Sequence, residues 1–133
     1  MDGEIRVPID SDADIVIARQ QGRALAERLG FSATDQTIIA TAISEVARNI
    51  IKFAKRGEIV LNKVMKNPEH GIAVTARDQG PGIADIQLAL QDGYSTGNGL
   101  GMGLPGCKRL MDELEIKSSK GNGTIVTMKK WTM

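Results

Sequence analysis

Two pairs of strand-like segments, each joined by a short turn, restrict most strongly what this chain can fold into. Segments 58–64 and 72–77 flank the turn KNPEHG, and segments 114–119 and 124–131 flank KGNG. Strands joined so closely pair antiparallel, because a parallel crossover needs a dozen or more residues. The chain therefore does not fit a regular alternation of parallel strands and helices.

The remaining segments predict helices. An alternating strand is expected over 4–9, and apolar residues at helical spacing then predict helices at about 12–29, from Ser32 or Thr34 to about Lys55, 85–91 and 104–114. The second helix is expected to bury a stripe that ends at Phe53. This order predicts an α/β fold, a two-layer sandwich in which helices cover one face of a mixed, mostly antiparallel sheet. With 133 residues and no internal repeat, residues 1–133 are expected to form one domain.

Composition excludes several classes of function. The net charge is +1, and the small cluster Lys52, Lys55 and Arg56 is not interleaved with aromatic residues, so we expect no nucleic-acid partner. No apolar run is long enough to span a membrane, and the N-terminus does not resemble a signal peptide. A single cysteine, Cys107, suits a reducing compartment, which predicts a cytoplasmic protein.

Eight of the fifteen glycines lie between Gly80 and Gly106. Residues 101–106, GMGLPG, have the spacing of a dinucleotide-binding turn, but no strand precedes them and no acidic residue follows at the required distance. A Walker A loop is also excluded, because Cys107 and not lysine follows Gly106. A helix that begins near Leu104 after such glycines favours a phosphate site built from backbone N–H groups. The alternative is a flexible surface loop.

Glu45 and Asn49 lie four residues apart on the second helix, so that they share one face. An amide oxygen is a suitable ligand for Mg²⁺, and a carboxylate one turn away can take the proton of a hydroxyl nucleophile. The alternative is an exposed glutamate beside a structural asparagine.

Asp78 ends a strand and is followed at once by Gly80-Pro81-Gly82. A carboxylate in this position can accept a hydrogen bond from an exocyclic amine, and the glycines allow a flat ring to lie close to the backbone. The alternative is an aspartate that only caps the turn.

These motifs together resemble the GHKL or Bergerat ATP-binding fold of DNA gyrase, MutL and sensor histidine kinases. Glu45-x-x-x-Asn49 resembles the N box of this fold. Its two glycine boxes resemble Asp78–Gly82 and Gly99–Leu104, and its late Gly-Thr element resembles Gly123-Thr124. The chain is too short for gyrase or MutL, and its one histidine, His70, lies in a turn. The resemblance is therefore to the small serine/threonine kinases of partner switching, above all the RsbT-type switch kinases of the stressosome.

The resemblance implies ATP and Mg²⁺ as cofactors and a role for each motif. Glu45 is the implied general base, Asn49 the Mg²⁺ ligand, and Asp78 the acceptor for the adenine amine. Residues from about 93 to 103 form the implied lid, and Lys108 or Arg109 add charge near the phosphates. The other implied nucleotide-binding residues are Gly80, Gly82, Ile83, Gly99, Gly101, Gly103, Leu104 and Thr124.

The resemblance also implies partners. The expected acceptors are Ser or Thr residues on STAS-domain proteins, and the expected downstream partner is a PP2C-type phosphatase or a similar output protein. Two alternatives remain open at this point: an anti-sigma-factor kinase, and an ATP-dependent binding module that transfers no phosphoryl group.

Overall fold

The computed structural model describes residues 3–66, 68–82 and 103–132. The predicted short helix over 85–91 lies outside these residues. Within them, none of the helices combines the length and hydropathy that a membrane crossing requires. The elements in chain order are β1 (Ile5–Ile9), α1 (Asp12–Arg28), α2 (Ala33–Ala54), β2 (Gly57–Lys66), β3 (Glu69–Asp78), α3 (Gly103–Leu110), β4 (Glu113–Ser118) and β5 (Thr124–Trp131).

The five strands form one sheet in the order β1-β2-β3-β5-β4, and each neighbouring pair is antiparallel. The predicted two-layer α/β sandwich is confirmed, since α1 packs on α2 and α2 packs on the sheet. The register places Asp78, the last residue of β3, opposite Gly57 on one side and Thr124 on the other. The end of β3 therefore meets the beginnings of β2 and β5 at one edge of the fold.

Local signals fix the ends of the two long helices. In the first turn of α1, the Asp14 carboxylate accepts a hydrogen bond from the N–H of Ser11 (3.1 Å), and Gly30 follows the helix with φ +91°. At the start of α2, Ser32 Oγ accepts a hydrogen bond from the N–H of Asp35 (3.1 Å). Such caps satisfy N–H groups that have no carbonyl partner in the first turn.

Aliphatic side chains fill the space between the helices and the sheet. Because the chain has few aromatic residues, isoleucine, valine, leucine, alanine and methionine supply most of this buried cluster. The fully buried large side chains include Ile39, Ile43, Ile50, Ile59, Ile72 and Met128. The predicted apolar face of α2 thus lies against β1, β2 and β3, as its periodicity indicates.

The third helix is shorter than the sequence predicts. We expected residues 104–114 to be helical, but α3 ends at Leu110 and β4 begins at Glu113. The reason is pairing with β5: the N–H of Asp112 donates to the carbonyl of Lys129 (3.0 Å), and the Asp112 carboxylate accepts from the N–H of Trp131 (2.8 Å). Contacts distant in sequence override local helix propensity here.

The expected burial of Phe53 is wrong, because its exposed fraction is 45%. Ile50 already lies against Gly57, the first residue of β2, so the last turn of α2 extends past the end of that strand. The Lys52 ammonium lies 5.4 Å from the centre of the Phe53 ring. The periodicity identifies the correct helix face but not where the sheet beneath it ends.

Candidate functional site

Helix α2 carries two of the predicted site residues, Glu45 and Asn49. Glu45 is only 8% exposed, and with Ser44 it is one of the few buried polar residues in the described part of the chain. Asn49 is half-buried one turn later. A buried carboxylate costs free energy unless it is hydrogen-bonded or paired, so the partners of Glu45 decide what it can do.

Both carboxylate oxygens of Glu45 have a partner. Oε2 lies 2.9 Å from Nη1 of Arg48, which is three residues further along α2, and Oε1 accepts a hydrogen bond from the N–H of Gly103 (3.1 Å). Gly103 is the first residue of α3, where backbone N–H groups have no partner within the helix. Glu45 therefore connects the predicted N box to the predicted second glycine box.

The first glycine box follows β3 in a tight turn. Asp78 Oδ1 accepts a hydrogen bond from the N–H of Gly80 (2.8 Å), so this aspartate does cap the turn, as one sequence interpretation held. Among the residues that the structure describes, its second oxygen makes no hydrogen bond. Asp78 can therefore hold the turn with one oxygen and accept a ligand N–H with the other.

Close packing explains the glycines of this turn. A Cβ atom built on Gly80 would lie 2.6 Å from the Cβ of Ala54 in the last turn of α2. Gly82 has φ +79°, and a Cβ there would lie 2.1 Å from the carbonyl oxygen of Ser119. The turn is thus held between α2 on one side and the β4–β5 hairpin on the other.

The β4–β5 hairpin forms a wall beside this turn. The N–H of Gly121 donates to the carbonyl of Pro81 (2.6 Å). Ser118 Oγ donates to the carbonyl of Gly123 (2.8 Å) and lies 2.8 Å from Oγ1 of Thr124. Thr124 lies opposite Asp78 in the sheet register, which brings the predicted Gly-Thr element and the predicted adenine contact side by side.

Along α2, the two glycine segments are separated by a distance that suits an extended nucleotide. Glu45, beside Gly103, and Ala54, beside Gly80, are nine residues apart, which is roughly 13 Å along a helix axis. Asn49 lies between them. The structure thus places three of the predicted motifs along one helix.

The side chains of the candidate site do not form a metal site by themselves. Within residues 3–66, 68–82 and 103–132, no group of three or more His, Cys, Asp or Glu side chains lies close enough to hold a metal ion. In the same part of the chain the Asn49 amide makes no hydrogen bond, so its oxygen can serve as a ligand. This arrangement fits Mg²⁺, which commonly takes one or two protein oxygens and completes its shell with water and phosphate.

The structure describes only some of the other predicted residues. Ile83, Gly99, Gly101 and most of the proposed lid fall outside the described residues. Leu104 is buried in the first turn of α3, whereas Lys108 and Arg109 are exposed in its last turn, roughly 7 Å further from the helix start.

His70 lies far from the candidate site. It is eight residues from Asp78 along β3, a distance of roughly 27 Å in a strand. Nε2 of its ring lies 2.7 Å from the carbonyl oxygen of Leu29, at the end of α1. This contact indicates a structural role for the histidine.

Cys107 is buried behind the site on α3. Burial, with a smaller contribution from the negative charge of Glu45, raises the pKa of its thiol to about 12. Its Sγ lies 3.8 Å from the carbonyl oxygen of Ala42 on α2. A thiol in this state packs as a small apolar group and is a poor nucleophile.

Sequence reasoning missed two residues that contribute to the site. Arg48 pairs with Glu45, and the three-residue spacing between opposite charges on a helix is a signal that could have identified it. Ser118 supports Gly123 and Thr124, but this contact depends on the hairpin register, for which the local sequence carries no comparable signal.

Comparisons with known proteins agree with this geometry. The family described as histidine kinase-like ATPase domain matches residues 10–130. The serine/threonine-protein kinase RsbT of Bacillus subtilis is 49% identical over 131 residues, covering 98% of each chain. An anti-sigma F factor of Caldanaerobacter subterraneus is 33% identical over 120 residues, covering 86% of this chain and 82% of the relative. The mycobacterial sensor histidine kinase MprB has a similar fold, with a TM-score of 0.54, 15% identity and coverage of 98% and 97%.

Proposed function

This chain belongs to the family of histidine kinase-like ATPase domains and is a serine/threonine protein kinase, and on that premise we propose a specific role for it. The whole chain acts as one domain in a cytoplasmic partner-switching pathway of the stress response. It transfers the γ-phosphoryl group of Mg·ATP to Ser or Thr residues of STAS-domain proteins in a stressosome-like complex. The released kinase then binds and activates a PP2C-type phosphatase or a similar output protein.

One observation carries the catalytic part of this proposal: the buried carboxylate of Glu45 lies 3.1 Å from the N–H of Gly103 at the start of α3. A group that can accept a proton is thereby placed beside backbone donors that can bind phosphate. The same helix brings Asn49 between this point and the turn at Gly80. An exposed glutamate would not support the proposal in this way.

In the proposed reaction, Glu45 accepts the proton of the acceptor hydroxyl. The hydroxyl oxygen forms a bond to the γ-phosphorus while the bond from that phosphorus to ADP breaks. Phosphoryl transfer depends mainly on positioning and neutralisation of charge, so a small domain suffices. Asn49 is the proposed ligand of Mg²⁺, which supplies positive charge to the phosphates when it is bound.

The nucleotide is proposed to lie along α2. Asp78, with the oxygen that does not cap the turn, accepts a hydrogen bond from the adenine amine. The phosphates are bound by backbone N–H groups of the second glycine box, and the Gly103 N–H is shared with Glu45. The remaining proposed binding residues are Gly80, Gly82, Ile83, Gly99, Gly101, Leu104 and Thr124.

A substitution at Glu45 tests the enzymatic role. Glu45→Gln keeps the size of the side chain and an oxygen for the Gly103 N–H, but it removes the base. We expect ATP affinity within a few-fold of the parent and a phosphoryl transfer rate lower by roughly 10²–10⁴. The measurement is phosphoserine or phosphothreonine on candidate STAS proteins incubated with labelled Mg·ATP. An equal rate in both proteins would contradict the base assignment but not the kinase activity.

The alternatives predict different results in the same experiment. The 33% identical anti-sigma F factor favours the first alternative, an anti-sigma-factor kinase. Such a kinase would retain a sigma factor in a pull-down with ATP, and it would phosphorylate the protein that antagonises it. A binding module would label no partner, and its ATP-dependent binding would be identical in parent and Glu45→Gln.

A further inference from the structure

Arg48 and Glu45 form an ion pair that extends from the interior to the surface. The Glu45 side chain is 11% exposed and the Arg48 side chain 49%, and their closest atoms, Oε2 and Nη1, are 2.9 Å apart. Glu45 also binds the N–H of Gly103 through Oε1. The carboxylate is therefore fixed by one partner on each oxygen, and only one of these partners is a side chain.

We propose that Arg48 is a positioning residue for Glu45 in phosphoryl transfer, an inference that rests on the function proposed above. A glutamate side chain has three rotatable bonds, and a base works only when its oxygen is held within hydrogen-bond reach of the proton it removes. The charge-assisted hydrogen bond from Arg48 holds the carboxylate in the orientation that faces the start of α3. Arg48 acts through Glu45 and contacts neither ATP nor the acceptor.

The chemistry of the pair suits this role better than a role in stability alone. An ion pair whose arginine is half-exposed contributes less to folding than a fully buried pair, because solvent screens it. Here the arginine is half-exposed, so its loss costs little packing, but the carboxylate is buried and would lose one of its two fixed partners. Arg48→Ala should therefore affect the position of Glu45 more than the stability of the fold.

The kinetic test compares two variants with a matched control. We expect Arg48→Ala to lower kcat for transfer by about 10- to 100-fold, as is typical for residues that orient a functional group, with the KM for ATP unchanged. Arg48→Lys should restore part of the rate, since it keeps the charge but not the planar donor group. Arg23→Ala, an exposed arginine on α1, should have no effect.

A double-mutant cycle separates positioning from direct contact with substrate. If Arg48 acts through Glu45, adding Arg48→Ala to Glu45→Gln should cause no further loss of rate. A full additional loss, or a raised KM for ATP in Arg48→Ala, would overturn the proposal and assign Arg48 to substrate binding.

A second measurement does not depend on kinase activity. Hydrogen exchange of the Gly103 amide, followed by NMR without nucleotide, should become several-fold faster in Arg48→Ala and remain unchanged in Arg23→Ala. If the parent transfers phosphoryl groups and Arg48→Ala is equally active, the positioning role is refuted while the proposed function holds. If the parent phosphorylates no acceptor, the proposed function fails and the Gly103 exchange rate alone decides whether Arg48 orients Glu45.

Discussion

Two glycines with similar backbone angles allow the packing around the first glycine box to be measured. Gly82 and Gly121 have φ of +79° and +86°, so alanine at either position adopts a left-handed conformation that side chains disfavour. They differ in their surroundings. A Cβ on Gly82 would lie 2.1 Å from the carbonyl oxygen of Ser119, whereas a Cβ on Gly121 meets nothing within 4 Å.

The expected costs follow from this difference. For Gly121→Ala the only expected loss of stability is the backbone term, which is about 1–2 kcal/mol. Gly82→Ala pays the same term and must also separate the turn from the hairpin, which adds about 1–3 kcal/mol by analogy with overpacked interiors. Since that movement also shifts the turn that begins at Asp78, Gly82→Ala should weaken ATP binding at least about tenfold, equivalent to 1.4 kcal/mol. Gly121→Ala should not.

Urea denaturation and calorimetry of ATP binding provide the assays. The free energy of unfolding is obtained by linear extrapolation for the parent and both variants, and an unchanged slope with urea shows that only stability has changed. Equal losses of stability at the two positions would refute the inferred contact between Gly82 and the hairpin. Unchanged ATP affinity in Gly82→Ala would refute the assignment of this turn to the nucleotide.

Three further predictions follow from the site. Asn49→Ala should weaken Mg·ATP binding at least about tenfold, the equivalent of one charge-assisted contact, while metal-free ATP binds as in the parent; calorimetry with and without Mg²⁺ measures both. Asp78→Asn should keep the turn, because an amide oxygen can accept a hydrogen bond from the Gly80 N–H. The NH₂ group of the asparagine then faces the adenine amine, which is also a donor, so discrimination between ATP and GTP should fall in a competition assay. Because burial raises the pKa of the Cys107 thiol from its ordinary value of 9.0 to about 12, its stabilising contribution is complete below about pH 9 and is lost as the pH rises towards 12. Stability curves over that range should fall less steeply for Cys107→Ala, and a steeper fall would contradict the buried neutral thiol.

The sequence predicts the architecture well because each long element is locally consistent. The alternation of β1, the short turns beside the other strands and the caps of α1 and α2 are signals carried by neighbouring residues, and the observed elements begin and end close to the predicted positions. The prediction is wrong where distant contacts decide. Residues 111–114 continue the apolar spacing of a helix, but because of pairing with β5 residues 111–112 form a bend and 113–114 begin β4.

The same distinction applies to the candidate site. The spacing of Glu45 and Asn49 on one helix predicts a shared face, and the structure places both residues as that spacing requires. The burial of Glu45 and its bond to Gly103 cannot be read from α2, because they depend on how α3 packs 58 residues later. Roles in catalysis and nucleotide binding remain predictions, since they rest on the resemblance and await the tests above.

The position of β5 in the sheet has a consequence for the order in which function appears during synthesis. This strand lies between β3 and β4 and carries Thr124 opposite Asp78, and the turn before it contacts Pro81 and Gly82. Chains emerge from the ribosome from the N-terminus, and contacts between distant residues form only when both are present. A nascent chain from which only α2 and the first glycine box have emerged still lacks the β4–β5 hairpin that lies beside this turn. The candidate site is therefore expected to be complete only after β5, which ends at Trp131, has left the exit tunnel.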